Sequence, residues 1–224
     1  MISIIIPIYN EEKILAEHSR YFENLSQHAE FIFIDGSSTD ASIDLASAFG
    51  KVLSCQKGRA LQMNYGAQHA RFDTIFFLHV DNIISSEALL SIEKEIQKNG
   101  IIGGCLTQRI DKNGFIYRII EAQGNLRAKL SKIFYGDQGI FVKKDIFFKI
   151  GGFPEVPIME DILFSKQLRK MGKTTVLPEK IIVSARRWER QGIIRTTLLF
   201  NLIIILFHLK VPLTKIKQLY RDLR

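Results

Sequence analysis

Short apolar runs and amphipathic stretches take turns along the first hundred residues. Residues 1–8 form an apolar run closed by Pro7 and predict a buried strand. Asn10 is placed to cap a following helix, with Glu11 and Glu12 in its first turn and Ile14, Leu15, Tyr21, Phe22 and Leu25 on one face. Residues 31–34 predict a second strand, stopped by Asp35-Gly-Ser-Ser-Thr-Asp40, and residues 41–49 a helix. Val52 and Leu53 mark a third strand, residues 60–70 a helix, and residues 74–78 a fourth strand running into His79-Val-Asp81. An amphipathic helix over 86–98 and a strand at Ile101-Ile102 follow. Strands alternating with helices predict βαβ units: an α/β fold with a mainly parallel central sheet and helices on both faces.

Past Gly104 the pattern loosens. Residues 139–142 read as a strand, 162–171 as a helix, and 174–177 and 181–183 as short strands. Residues 196–209 are strongly apolar but fall short of the roughly 20 residues that cross a bilayer, and Asn201 and His208 interrupt them. Pro212 opens a last helix with Leu213, Ile216, Leu219, Tyr220 and Leu223 on one side and Lys215, Lys217, Arg221 and Arg224 mostly elsewhere. Two readings fit this ending. One is an interfacial helix on a membrane; the other is a helical hairpin packed on the sheet or on a second subunit. Residues 1–190 are expected to form one domain, and residues 191–224 a helical tail.

Composition narrows the class. A chain of 224 residues suits one full-sized core, and 46% hydrophobic with 24% charged residues excludes a disordered chain. The net charge of +8 is concentrated: from Arg186 onward nine basic residues face two acidic ones, which leaves the first 185 residues close to neutral. A basic tail suits an anionic partner such as phosphate or a lipid headgroup. A nucleic-acid binder would spread its charge differently, so nucleic acid is not expected. Cys55 and Cys105 are too few for a disulfide framework and read as buried free thiols. The apolar start is too short for a secretory leader and has no basic residues before it, so a cytoplasmic location is expected, with the inner membrane face as its peripheral alternative.

Chemistry is expected at the carboxyl ends of the strands, where open α/β sheets bind ligands. Tyr9-Asn10-Glu11, Asp35 and His79-Val-Asp81 fall at three such ends. Lys57-Gly58-Arg59 precedes a helix and offers cations and open N–H groups to a phosphate. Asp81 can share a divalent cation with a diphosphate, since Mg²⁺ and Mn²⁺ often take one or two carboxylates when substrate phosphates complete the shell. Glu160-Asp161 opens a helix. Acids there complement the dipole, and a fixed carboxylate can also serve as a general base. Neither G-x-G-x-x-G after a strand nor G-x-x-x-x-G-K-[ST] occurs.

The ordered motifs resemble those of inverting family 2 glycosyltransferases of the GT-A fold. The matching pieces are Ile4-Ile-Ile-Pro-Ile-Tyr-Asn-Glu-Glu12, Phe33-Ile-Asp-Gly-Ser-Ser-Thr-Asp40, Lys57-Gly-Arg-Ala-Leu-Gln-Met-Asn64, Leu78-His-Val-Asp81, Gly151-Gly-Phe-Pro-Glu155, Met159-Glu-Asp161 and Arg187-Trp188. The stretches Gly58-Arg-Ala-Leu-Gln-Met-Asn64, Pro157-Ile-Met-Glu-Asp161 and Ser184-Ala-Arg-Arg-Trp-Glu189 look closest to a bacterial subfamily labelled transferase 2, rSAM/selenodomain-associated, some of whose members are described as arsenosugar biosynthesis glycosyltransferases.

The resemblance implies a metal-dependent, non-processive transfer from a nucleotide-diphosphate sugar, by default a UDP-sugar, to the hydroxyl of a small-molecule or lipid acceptor. It implies that Pro7, Tyr9 and Glu11 line base and ribose, that Asp35 contacts the base, and that Arg59 reaches the diphosphate or ribose. Asn10, Gly58, Asn64 and His79 belong to the same donor-binding motifs. Asp81 would bind Mg²⁺ or Mn²⁺, Asp161 would be the catalytic base with Glu160 beside it, and Arg187 and Trp188 would line the acceptor or diphosphate site. The chain departs from the pattern at His79, where relatives have the first Asp of D-x-D, at Gly36, where many have a second Asp, and at Ser184, where processive synthases have Gln. Partners expected besides donor and acceptor are an anionic membrane surface or a second copy of the chain. A sugar nucleotidyltransferase and a non-catalytic membrane-associated protein are the competing readings.

Overall fold

The computed structural model describes residues 1–221. Asp222, Leu223 and Arg224, counted above in the basic tail, lie outside the described residues, as does the side chain of Arg221. Strands β1 (Ser3–Ile8), β2 (Glu30–Asp35), β3 (Lys51–Ser54), β4 (Thr74–Phe77), β5 (Ile83–Ile84), β6 (Ile101–Ile110), β7 (Ile140–Lys143) and β8 (Lys173–Val183) form one sheet in the order β3-β2-β1-β4-β7-β6-β8-β5. Pairs β1–β2, β2–β3, β1–β4 and β6–β8 are parallel; β7 runs antiparallel to β4 and β6, and β5 to β8. The expected α/β architecture is the one observed.

Eleven helices accompany the sheet among the described residues: α1 (Glu12–Glu17), α2 (Ser19–Ser26), α3 (Ser42–Ser47), α4 (Arg59–His69), α5 (Ser86–Ile96), α6 (Phe115–Ser131), α7 (Lys144–Ile150), α8 (Glu160–Met171), α9 (Arg186–Gln191), α10 (Ile193–His208) and α11 (Leu213–Arg221). Strand side chains alternate between two faces, and both are buried. Ile4, Ile6, Ile8, Phe31 and Phe33 meet Leu15, Phe22 and Ile92 on one side. Ile5, Ile32 and Ile34 meet Met63, Ala67, Phe147 and Phe164 on the other. Gly66 lets α4 lie close on the sheet, for a Cβ there would fall 2.5 Å from Ile5 Cγ2.

Several details differ from the sequence expectations. The first helix is two, parted at His18. Asn10 caps neither: it takes φ +53°, and its Oδ1 accepts the Thr39 N–H at 2.8 Å, tying the loop after β1 to the loop after β2. The two short strands near the end are one strand, β8, and β6 runs ten residues rather than two. Helices α6 and α7 fill stretches where the pattern predicted no element. Cys105 is buried, whereas Cys55 is only half-buried; both are free thiols.

The chain's ending is a hairpin. Ile203 of α10 and Ile216 of α11 are buried against Met159 and Ile162 at the start of α8. The apolar side of α11 therefore faces protein. No helix among the described residues is long and apolar enough to cross a membrane.

Candidate active site

Because β1 to β4 are parallel, their carboxyl ends share one edge of the sheet, and the strand order reverses between β1 and β4. That switch point is where a ligand cleft opens in such sheets. The Gln62 amide donates to the carbonyls of Ile8 and Ile34 at 2.9 and 2.7 Å, locking the ends of β1 and β2 together. Asp35 is buried at the end of β2. Its carboxylate accepts the N–H groups of Ser37 (2.9 Å) and Ser38 (3.1 Å), so it shapes its own turn. Pro7 pairs with Ile34 within the sheet. The exposed ring of Tyr9 carries Lys57 Nζ 3.2 Å from its centroid, and the Glu11 N–H donates to Ser42 Oγ.

The acids converge around Arg59. This residue follows Gly58 at the start of α4, and its Nη1 lies 3.4 Å from Glu160 Oε1. Burial works to lower the Arg59 pKa, but Glu160, Tyr220, Asp161 and Asp81 around the guanidinium outweigh it, and the net shift is upward. Arg59 is thus held as a cation by its contact with Glu160, with Asp161 and Asp81 close enough to add to the pull. A narrow crevice of about 10 Å³ is lined by Arg59, His79, Gly136, Glu160, Asp161 and the apolar side chains of Met63, Phe77, Ile140 and Phe153.

Asp161 sits in the first turn of α8 with Met159 before it in the left-handed region, φ +72°. The Gly136 N–H donates to its Oδ2 at 2.7 Å. Burial and then the adjacent Glu160 carboxylate push the Asp161 pKa up to about 6, against the pull of the Gly136 N–H, Arg59 and the Ile162 N–H. A carboxylate poised there can take a proton near neutral pH. Gly136 opens a 3₁₀ turn, Gly136–Gln138, and a Cβ on it would stand 2.8 Å from His79 Nε2 and 3.6 Å from Asp161 Oδ2. His79 and Asp161 therefore flank the same glycine.

Asp81, partly exposed, has Arg186 Nη2 3.6 Å from its Oδ2. No three His, Cys, Asp or Glu side chains form a metal cage among the described residues. A cation at Asp81 would draw its other oxygen ligands from a bound diphosphate, a hard-oxygen set that fits Mg²⁺ or Mn²⁺.

Two expected site residues are engaged elsewhere. The Asn64 side chain donates to the Phe153 carbonyl and accepts the Phe153 N–H, each at 2.8 Å, clamping α4 to the loop after α7. Trp188 is buried, edge-on to Tyr117 and Phe200, with no hydrogen-bond partner for its Nε1. Arg187 instead engages the tail helices. Its Nη1 donates to Tyr220 Oη at 2.7 Å, and its guanidinium lies over the Phe200 and Tyr220 rings.

Tyr220 and Gly136 are the members that sequence reasoning missed. Tyr220 read as one apolar position of the tail helix, and Gly136 acts through its backbone, which leaves no side-chain signal. Asp137, next to Gly136, has its carboxyl pKa raised by burial, opposed by Arg127, Gln108 and Arg187. A wider, open depression with Lys132, Arg169, Lys170 and Lys173 lies where β6 and β8 begin, at the opposite edge of the sheet.

Comparison with known proteins agrees with this geometry. A profile described as "Glycosyl transferase family 2" matches residues 3–154, stopping just before Glu160 and Asp161. The poly(ribitol-phosphate) beta-glucosyltransferase of Bacillus spizizenii is 31% identical over 117 residues, 46% of this chain and 18% of that protein. The structure of S. aureus TarS 1-349 superposes with a TM-score of 0.64 at 18% identity, covering 83% of this chain and 61% of that one. The mannosyltransferase PcManGT from Pyrobaculum calidifontis, in complex with GDP-Man and Mn²⁺, gives 0.64 at 16% identity over 81% of this chain and 56% of that one. TarS 1-349 in complex with UDP-GlcNAc gives 0.62 at 18% identity, over 82% and 58%. The chain thus spans less than a fifth of the curated relative and under two thirds of these structures. Their shared fold is the GT-A fold, and with the profile covering well over half of its length, the chain belongs to glycosyl transferase family 2.

Proposed function

We propose that the protein is an inverting glycosyltransferase that moves a sugar from a nucleotide-diphosphate sugar, UDP-linked by default, to an acceptor hydroxyl. Asp161 accepts the hydroxyl proton, and the oxygen attacks the anomeric carbon from the face opposite the leaving group. The bond from that carbon to the diphosphate oxygen breaks, releasing the nucleoside diphosphate, and one displacement inverts the centre. Arg59 balances charge growing on the departing diphosphate, with Arg187 and its partner Tyr220 beside it. With Mg²⁺ or Mn²⁺ held by Asp81, the cleft gains a further positive charge against the diphosphate. Tyr9, Pro7, Glu11 and Asp35 edge the place for base and ribose.

The observation that carries this reading is one crevice lined by Arg59, Glu160 and Asp161, in which Arg59 pairs with Glu160 and the Gly136 N–H holds Asp161, with Asp81 near enough to act on the Arg59 charge. Ser184 Oγ accepts the Arg186 N–H in place of the Gln of processive synthases, in keeping with single transfers. The likeness of the three stretches cited above supports reading it as a member of the rSAM/selenodomain-associated subfamily, acting in the cytoplasm. The test is a transfer assay on Asp161→Asn with UDP-sugars and Mn²⁺. Turnover should fall by about a hundredfold or more while UDP binding persists; near-normal turnover would remove Asp161 as the base.

A further inference from the structure

Helix α10 carries two opposite apolar faces. Thr196, Phe200, Ile203 and Phe207 point inward, and Ile203 is fully enclosed. Ile194, Leu198, Leu202, Ile205 and Leu209 recur at helical spacing on the other side and are 43–70% exposed. Helix α6 repeats the arrangement. Tyr117, Glu121 and Ala128 face the core, while Phe115, Ile119, Leu126 and Leu130 stand outward, 51–81% exposed. The helices are neighbours, because Tyr117 and Ile120 of α6 pack with Trp188, Ile193 and Phe200. Nine large exposed apolar side chains in two stripes, on helices that share one packed cluster, form a ridge of the kind that marks an interaction surface rather than residues scattered singly.

Along α10 and at the end of α6 the rim of the ridge is basic, whereas beside the start of α6 Lys112 is paired with Glu189. Arg195 is the one charged residue of α10 and is exposed; Lys129 and Lys132 stand at the end of α6, and Arg169 Nη1 donates to the Ser131 carbonyl beside them. Lys166 Nζ sits 4.6 Å from the Phe207 ring. The acid of α6, Glu121, is buried with Arg118 and Arg109, and α10 has no acid.

We propose that this ridge docks the protein on an anionic lipid bilayer, with α6 and α10 lying in the interface and their basic rim on the headgroups. A second copy would fit the apolar stripe less well, because a two-fold pairing of one patch sets its like charges against each other. The basic α11, whose spacing read as an interfacial helix, is not the apolar anchor, since Ile216 is buried against α8. Docking through the ridge does not depend on which sugar the cleft transfers.

The experiment is co-sedimentation of the full chain with phosphatidylcholine vesicles, with and without phosphatidylglycerol, alongside sedimentation velocity without lipid. Wild type should pellet with the anionic vesicles and remain monomeric alone. Phe115→Glu with Leu198→Glu should cut the bound fraction about tenfold or more, with thermal unfolding and UDP binding unchanged because both side chains are exposed. Lys129→Gln with Arg195→Gln should weaken pelleting without changing the fold. Absence of pelleting with anionic vesicles, or pelleting unchanged by the Glu pair, would overturn the proposal. A dimer that the Glu pair dissociates, without vesicle binding, would overturn it in favour of a second copy.

Discussion

Replacing Asp161 by Asn should stabilise the protein while stopping its chemistry. The Asp161 pKa lies at about 6 rather than 3.8, chiefly because burial and the Glu160 carboxylate disfavour its charge. Two units at ~1.36 kcal/mol each mean that ionising this side chain costs the fold roughly 3 kcal/mol above pH 7. The folded state holds the proton more tightly than the unfolded chain. This residue's penalty is therefore absent below about pH 4, grows as pH rises, and is complete above about pH 6. Asn keeps the shape without the charge, but its NH₂ faces a backbone N–H, of Gly136 or of Ile162, and returns about 1 kcal/mol. The net gain is ~2 kcal/mol at neutral pH, or roughly 4–8 °C in Tm for a chain of this size. Thermal unfolding of both proteins at about pH 7.5 and about pH 4 checks this. The variant should lead at the higher pH and lose its lead at the lower. An equal gap at both, or a variant less stable at neutral pH, would refute the account of Asp161.

Wild-type turnover should fall about tenfold per unit as pH drops below about 6, because the base becomes protonated; a profile flat to about pH 4.5 would contradict it. Gly136→Ala brings a Cβ to 2.8 Å from His79 Nε2, and steady-state assay should show kcat down about tenfold or more. Arg59→Ala should weaken donor binding by about tenfold or more by calorimetry, since it removes a charge-assisted contact. Tyr220→Phe leaves Arg187 without its 2.7 Å partner and should raise the donor KM roughly fivefold, about 1 kcal/mol, with little change in kcat. Gly66→Val should lower stability by about 1–3 kcal/mol in denaturant titration, because α4 must move off Ile5.

The first half of the fold was legible because its strands are buried on both faces. Runs such as Ile4-Ile5-Ile6 and Phe31-Ile32-Phe33 need no partner to be recognised. β6 was not legible past Ile102 because Gly103 and Gly104 interrupt it, yet the glycines are what the strand requires: a Cβ on Gly103 would lie 2.6 Å from the Phe141 carbonyl oxygen. β8 was split in reading by Pro178, and it does shift register against β6 between Cys105 and Thr107. α6 was missed because its pattern is inverted, with Glu121 inside and Phe115, Ile119 and Leu130 outside. At the site, acids and Arg59 were legible as side chains at strand and helix ends. The turn that holds Asp161 and the tail tyrosine beside Arg187 depend on tertiary packing, which spacing along the chain does not encode. Asn64 and Trp188 carry motif positions but spend their side chains on Phe153 and on a core of aromatic rings.

The central claim is that Arg59, Asp81 and Asp161 serve one donor pocket in separate roles. Isothermal titration of UDP in the presence of Mn²⁺ into wild type, Asp81→Asn and Asp161→Asn tests it most directly. The account predicts binding to wild type and to Asp161→Asn, with Asp81→Asn weakened about tenfold or more. Equal affinity in all three, or no heat with wild type, would contradict it.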